Sequence, residues 1–426
     1  MEKLEGIVDN STLKGYLYFW GGQLASLLGS SIVQFVIIVW ITVETGSLII
    51  LSWANFFLMF PRIFFIPIAG VLADKFDRKK IILVSDSTQA FLTVVLIGFF
   101  LIDFVNIGII FSFISLRTVC QSFHSPAAIA ITPSMVPPEK LSRINGFDYL
   151  FTGLIQVFGA PIGGMLLTFF DIRYILWVDV LTFLIALVPL LLIKIPVVRS
   201  SSQIKEKQSF FADFKIGIKV FRIIPGFILL LFISMFVNFF LQPLMVLMPY
   251  YIINIHGGTI LLFGFIEMLI PAASIIGALV PSLKKSWKNK ILVMCTSLLL
   301  INIGYLMIAL APIGFFPIIA SGILLIGFVL PIVNSLSMTI IQIVVPSDKI
   351  GRVMSIILTL SMVISPIGAI IAGPLSVFLG IANLYVYCAV LGIIIAIISY
   401  FFTNLRYIDY DKASINMDEQ ISQKAD

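Results

Sequence analysis

Charged side chains inside an apolar sequence are the first place to look for chemistry. Arg62, Asp86, Arg117 and Glu267 each stand within a long apolar run, and an ionic group at membrane depth costs kilocalories unless water or a partner reaches it. A carboxylate placed there must be hydrated, paired or protonated. Glu267 is therefore the leading candidate for carrying a proton, with Asp86 as its rival; a static partner for a nearby polar group is the plainer role. Arg62 and Arg117 are candidates for contacting a solute in a shared cavity, against a structural cation held by backbone or a carboxylate. Asp148 and Asp179 fall near run ends, where a side chain can snorkel to water. His124 reads as a packed, hydrogen-bonded residue and His256 as a loop residue of no special role.

Uncharged polar residues recur at helical spacing. Gln23, Ser26, Ser30 and Gln34 share one face of a helix, as do Ser234, Asn238 and Gln242. Arg117, Gln121 and His124 form another such stripe, and Asn334, Ser335, Thr339 and Gln342 a fourth. Some are polar glue between helices. The others, with Gln23, Ser30, Gln34, Asn238, Gln242 and Asn334 foremost beside Arg62 and Arg117, are expected to face water and a small-molecule substrate. The many Phe and Met residues around them suit an amphipathic solute better than a sugar. No Gly-x-x-x-x-Gly-Lys-[Ser/Thr] stretch binds ATP, and neither metal-ligand spacing nor a nucleophile–base constellation is present. The expectation is a protein that is not an enzyme and needs no cofactor.

The elements that position these residues follow from composition. Hydrophobic residues make up 60% of the 426, charged residues only 11%, and the mean hydropathy is +1.12. A soluble domain carries about a quarter charged residues, so lipid must be the solvent here. In lipid every backbone polar group is paired internally, which leaves helices or closed barrels. Unbroken apolar runs of about twenty residues select helices. Twelve spans are expected, at about 16–41, 48–72, 80–102, 107–130, 146–170, 175–193, 225–251, 261–282, 290–311, 315–341, 353–379 and 384–403. The fold class is an all-α membrane protein of two six-helix bundles, 1–193 and 225–403, with a polar linker at 194–224 and a tail at 404–426. Cys120, Cys295 and Cys388 all fall in apolar runs and read as small buried hydrophobes. The first helix reads as uncleaved.

On this threading every Lys and Arg except Arg62, Arg117 and Arg173 lies in the N-terminus, the linker, the tail or alternate loops. The positive-inside rule then puts both termini in the cytoplasm. The net charge of +6 is accounted for by basic loops facing anionic lipid, without nucleic acid. The halves also echo each other. Ala160-Pro161-Ile162-Gly163-Gly164 parallels Ser365-Pro366-Ile367-Gly368-Ala369, Gly70 parallels Gly277, and Gln34 parallels Gln242, all at nearly one offset. A shared offset marks a six-plus-six duplication, the architecture of transporters built from repeats.

Between the second and third spans runs Gly70-Val-Leu-Ala-Asp74-Lys75-Phe-Asp77-Arg78-Lys79-Lys80. Gly70 would let a neighbouring helix come close. Asp74 and Arg78, four apart, can pair with each other or with a facing helix end, as a lock on an inner gate. This segment resembles the loop 2–3 signature of the major facilitator superfamily. Arg117 with Phe123-His124-Ser-Pro126 and Thr132-Pro133 resembles the fourth helix and following loop of that superfamily's macrolide-efflux-like branch. Val345-Pro346 with Gly351-Arg352-Val353, and Trp177-Val-Asp179 with Thr182-Phe183, are similar to its loop 10–11 and sixth helix. Gly159-Ala160-Pro161-Ile162-Gly163-Gly164 departs from the exporters' Gly-Pro-x-x-Gly-Gly by placing the proline one residue late. The resemblance implies a gating role for Gly70, Asp74, Arg78, Gly159, Pro161, Gly163 and Gly164. It also implies a monomeric secondary transporter in the plasma membrane, most simply a proton-coupled exporter of an amphipathic drug or natural product such as a macrolide. Export of a siderophore, small peptide or lipid stays open, as does a non-transporting receptor or scaffold on the same fold.

Overall fold

The computed structural model describes residues 10–193, 195, 226–284, 287, 289–345 and 350–402, and every regular element among them is helical. Twelve helices are long and apolar enough to cross a membrane. They are α1 Asn10–Thr45, α2 Leu48–Lys75, α3 Arg78–Leu101, α4 Ile107–Met135, α5 Pro138–Phe169 and α6 Ile172–Leu192. The second set is α7 Phe227–Ile255 and α8 Ile260–Leu283, α9 Lys290–Ala309, α10 Phe316–Val344, α11 Ile350–Leu379 and α12 Ile381–Phe401. The expected linker at 194–224 (apart from residue 195) and the tail lie outside the described residues.

Side-chain caps fix where several helices start. Asp77 accepts from the Lys79 amide at 2.9 Å, Asn106 from Ile109 at 3.0 Å, Thr259 from Leu262 at 3.1 Å and Asn289 from Leu292 at 2.9 Å. Each satisfies an amide that has no partner inside its helix. Pro138 opens α5, where its missing N–H costs nothing.

Two spans are irregular for a reason written in their prolines. α8 is interrupted at Met268 and again at Ala278. Pro271 and Pro281 lack the N–H groups that would bond the Glu267 and Gly277 carbonyls four residues back, so the helix loosens at those points. α7 carries Pro243 and Pro249 and finishes in a π-helical turn, Tyr251–Ile255.

The chain divides into two compact units. The first takes in α1–α6 and Ile252–Pro271; the second takes α7 up to Tyr251 and the helices from Ala272 onward. In lipid, helices gain little from hydrophobic exclusion and associate instead through close packing at small residues. In the first unit a methyl group built on Gly163 of α5 would sit 2.7 Å from the Phe35 ring of α1. In the second, α9 and α10 cross at Gly304 and Gly322, where a methyl on Gly304 would lie 2.7 Å from the facing carbonyl oxygen. Tyr251, Tyr305 and Tyr385 pack ring to ring in that unit's core, at 5.1 and 5.3 Å.

Candidate functional site

Only Phe76 and Asp77 separate α2 from α3. Arg78 Nη1 donates to the Ala130 carbonyl near the end of α4 at 2.7 Å, and its Nε to the Ala73 carbonyl of α2 at 3.3 Å. Lys79 Nζ donates to the Leu191 and Ile193 carbonyls at the end of α6, at 3.0 and 2.6 Å. The two cations thus cap the C-terminal ends of three helices, where unpaired carbonyls concentrate negative partial charge. The Asp74–Arg78 pair is not formed, because Arg78 is already engaged by those carbonyls. Asp74 stays exposed. Gly70 does not receive a neighbour: a methyl there meets nothing within 4 Å.

The small-residue segment of α5 does bring helices together. Gly159 lies against Ser31 and Gly163 against Phe35, both of α1. A methyl on Gly164 would lie 3.1 Å from the Ile260 carbonyl oxygen of α8, and one on Gly264 2.7 Å from the Ala160 carbonyl oxygen. Pro161, displaced by one residue from the exporters' pattern, is buried beside this contact.

Deep in the first unit, ionisable and polar side chains from α1, α3, α4 and α6 meet. Arg117 of α4 forms a two-point ion pair with Asp179 of α6, Nη1 to Oδ2 at 2.5 Å and Nη2 to Oδ1 at 2.8 Å. Thr93 of α3 donates to Asp179 Oδ2 at 2.8 Å, and Ser30 of α1 to Oδ1 at 3.0 Å. Next to this closed network lies a second group. Gln23 of α1 donates through Nε2 to Asp86 Oδ2 at 3.5 Å, while its Oε1 sits 2.9 Å from His124 Nε2. His124 Nε2 is 3.6 Å from Asp86 Oδ1. A small cleft opens here, lined by Gln23, Ser26, Asp86, Gln121, His124 and Phe183 among others.

Asp179 is not a snorkelling residue: it is buried, and only 4% of its surface is exposed. The helical turn Ile172–Ile175 lengthens α6 at its N-terminal end, so Asp179 lies deeper in the helix than an apolar window starting at 175 implies. A buried Arg117 demands a carboxylate, and that demand was the signal pointing to Asp179. Thr93 was missed, although it stands at helical spacing from Asp86 and Gln89 on α3, the polar stripe that could have marked it.

The remaining candidates are dispersed. Arg62 of α2, Glu267 of α8, Gln34 of α1 and Asn334 of α10 are exposed. No hydrogen bond or ion pair to a described residue involves them, and none joins Arg62 to Glu267. Asn238 donates to its own helix, at the Ser234 carbonyl, 2.8 Å. Gln242 packs its stem where a methyl on Gly368 of α11 would lie 2.9 Å away, leaving its buried Oε1 without a partner among the described residues. Asp148 accepts from the Trp20 indole at 2.8 Å. His256 lies in the bend between α7 and α8, and there it is buried. Among the described residues no group of three or more His, Cys, Asp or Glu could hold a metal ion.

Residues 19–369 match the family model described as Major Facilitator Superfamily. The chain is 27% identical over 405 residues to macrolide efflux protein A of Streptococcus pyogenes, covering 94% of this chain and 98% of the relative. It is 21% identical over 352 residues to the multidrug efflux pump Tap of Mycolicibacterium fortuitum, 80% and 84% of the two chains. Among solved structures, a mutant of the nucleoside transporter NupG superposes with a TM-score of 0.73 over 90% of this chain and 98% of that one, at 12% identity.

Proposed function

Since the chain belongs to the major facilitator superfamily, we propose that it is a secondary active exporter of an amphipathic drug or natural product, such as a macrolide, driven by protons moving inward. The observation that carries this reading is the cleft in the first unit. Of its two buried carboxylates, Asp179 is balanced by Arg117, whereas the direct side-chain contacts of Asp86 among the described residues are to the neutral amide of Gln23 and the ring of His124. A carrier coupled to protons needs a carboxylate whose charge is not permanently cancelled. The apolar lining beside it, Leu27 and Phe183, suits an amphipathic partner. Similarity to two efflux proteins over most of the chain supports export over uptake. On this reading the protein works as a monomer in the plasma membrane, with both termini in the cytoplasm, its halves alternately opening the cavity to either side.

Glu267 enters the same proposal as a second proton carrier. An unpaired carboxylate within a span, at the break that Pro271 opens in α8, is free to titrate as its surroundings change. The test is transport in proteoliposomes under an imposed pH gradient, with a radiolabelled macrolide as probe. Wild type should move the probe, and a protonophore should stop it. Glu267→Gln and Asp86→Asn should each bind the probe but lose gradient-driven movement. Full transport by both variants would remove proton coupling through these carboxylates, and indifference to the protonophore would remove it altogether.

A further inference from the structure

We infer that Asp86, Gln23 and His124 form a single-proton site that ties α1, α3 and α4 together and changes its hydrogen bonding when the proton is taken up. The inference deepens the proton-coupled reading above and assigns His124 and Gln23 roles in it.

The hydrogen-bond directions leave little freedom. Gln23 Oε1, a carbonyl oxygen, can only accept, so His124 Nε2 at 2.9 Å must carry the hydrogen. The Gln23 amide nitrogen then points at Asp86 Oδ2, as an ionised carboxylate requires. With Nε2 protonated, the neutral ring presents its lone pair at Nδ1, and Nδ1 is buried with no partner among the described residues. A buried acceptor without a donor is a costly arrangement that a native protein keeps for a reason. A proton placed there meets no acceptor among the described residues either, so the charged form is held by its 3.6 Å approach to Asp86 rather than by a hydrogen bond at Nδ1.

A proton on Nδ1 makes His124 a cation 3.6 Å from Asp86 and leaves the Gln23 bridge as it stands. A proton on Asp86 instead turns the carboxylate into a donor. Gln23 must then rotate its amide to accept from Asp86, and its nitrogen donates to His124 Nε2, which moves the ring hydrogen to Nδ1. Either form holds one proton and neutralises the site; the second also reverses the hydrogen bonds between three helices. No other group competes for the role. Arg117 of α4 and Asp179 of α6 face Asp86 but are closed on each other, and the uncharged Gln89 of α3 and Gln121 of α4 line the same cleft. The Cys120 thiol of α4 is also within electrostatic reach of Asp86.

The chain has two histidines, so nitrogen-15 imidazole NMR of the purified full-length protein resolves the site, with His256 as an internal fold control. Wild type at alkaline pH should show His124 as the Nε2–H tautomer, its signal vanishing in His124→Gln. Acidification should protonate the ring or switch its tautomer. In Asp86→Asn the change should be lost or displaced, because the carboxylate that faces the ring is gone. Gln23→Leu should abolish the tautomer preference while leaving the His256 signal in place. An Nδ1–H tautomer in wild type at alkaline pH, or an Asp86→Asn titration identical to wild type, overturns the inference. These readouts need no transport. A coupled His124–Asp86 titration in a protein indifferent to protonophore keeps the proton site and removes proton-driven export, while the reverse result does the opposite.

Discussion

Arg117 and Asp179 meet across α4 and α6 through two parallel hydrogen bonds, and Asp179 accepts two more from Thr93 and Ser30. One carboxylate thereby joins four helices of the first unit. A pair buried this well contributes less by its own attraction than by the penalty for breaking it. Removing one partner should cost about 3–5 kcal/mol, whereas removing both charges together leaves no uncompensated ion, only the Thr93 and Ser30 hydroxyls deprived of this acceptor. Asp179→Asn and Arg117→Leu should each lower the thermal unfolding temperature of detergent-purified protein sharply. The double variant Arg117→Leu with Asp179→Leu should recover much of the loss. A double variant no more stable than either single one would show that the pair is not acting as a unit.

Arg78 and Asp74 should separate in their effects. Arg78→Ala strips donors from the Ala73 and Ala130 carbonyls, an expected loss of about 1–3 kcal/mol. Asp74→Asn touches no described partner, so unfolding should be unchanged while transport slows, as expected of a group that acts only in the conformational cycle. Equal destabilisation by both variants would contradict this division.

Gly264 and Gly70 give opposite expectations for one substitution. Gly264→Ala drives a methyl into the Ala160 carbonyl, backbone that cannot swing aside, and should weaken the α5–α8 contact and depress activity. At Gly70 the same methyl enters open space, and Gly→Ala inside a helix should be neutral or stabilising by about 0.5–1 kcal/mol. Paired melting curves and transport assays of the two variants decide it; a harmless Gly264→Ala would mean that α5 and α8 part without cost.

Topology is open to labelling with a membrane-impermeant thiol reagent. Thr259→Cys, exposed between α7 and α8, should react in intact cells. Ser202→Cys, in the polar stretch between the sixth and seventh spans, should react only after permeabilisation. The reverse pattern would invert the orientation derived from the basic loops.

The class of this protein is legible in its sequence because lipid imposes a harsh rule. With no water to pair backbone groups, twenty apolar residues must be a helix, and the basic loops supply the expected orientation that the labelling tests. The prolines of α8, the caps at Asp77 and Asn289 and the small residues of α5 are likewise local signals that act locally. Which charges meet is not local. Arg117 and Asp179 lie 62 residues apart and Asp86 is 63 from Gln23; their encounter depends on how α1, α3, α4 and α6 are rotated about their own axes. A rotation of one residue's worth, about 100°, would send any of them elsewhere. The same dependence explains why Gly70 looks like a packing site in sequence and meets open space. It also explains why Arg62 and Glu267, both inside apolar runs, find no partner in each other, while Asp179, near the edge of its apolar window, is tied to three other helices. Depth along a span follows from the amino-acid order, but the direction a side chain faces is decided only when neighbouring helices lock at their small residues.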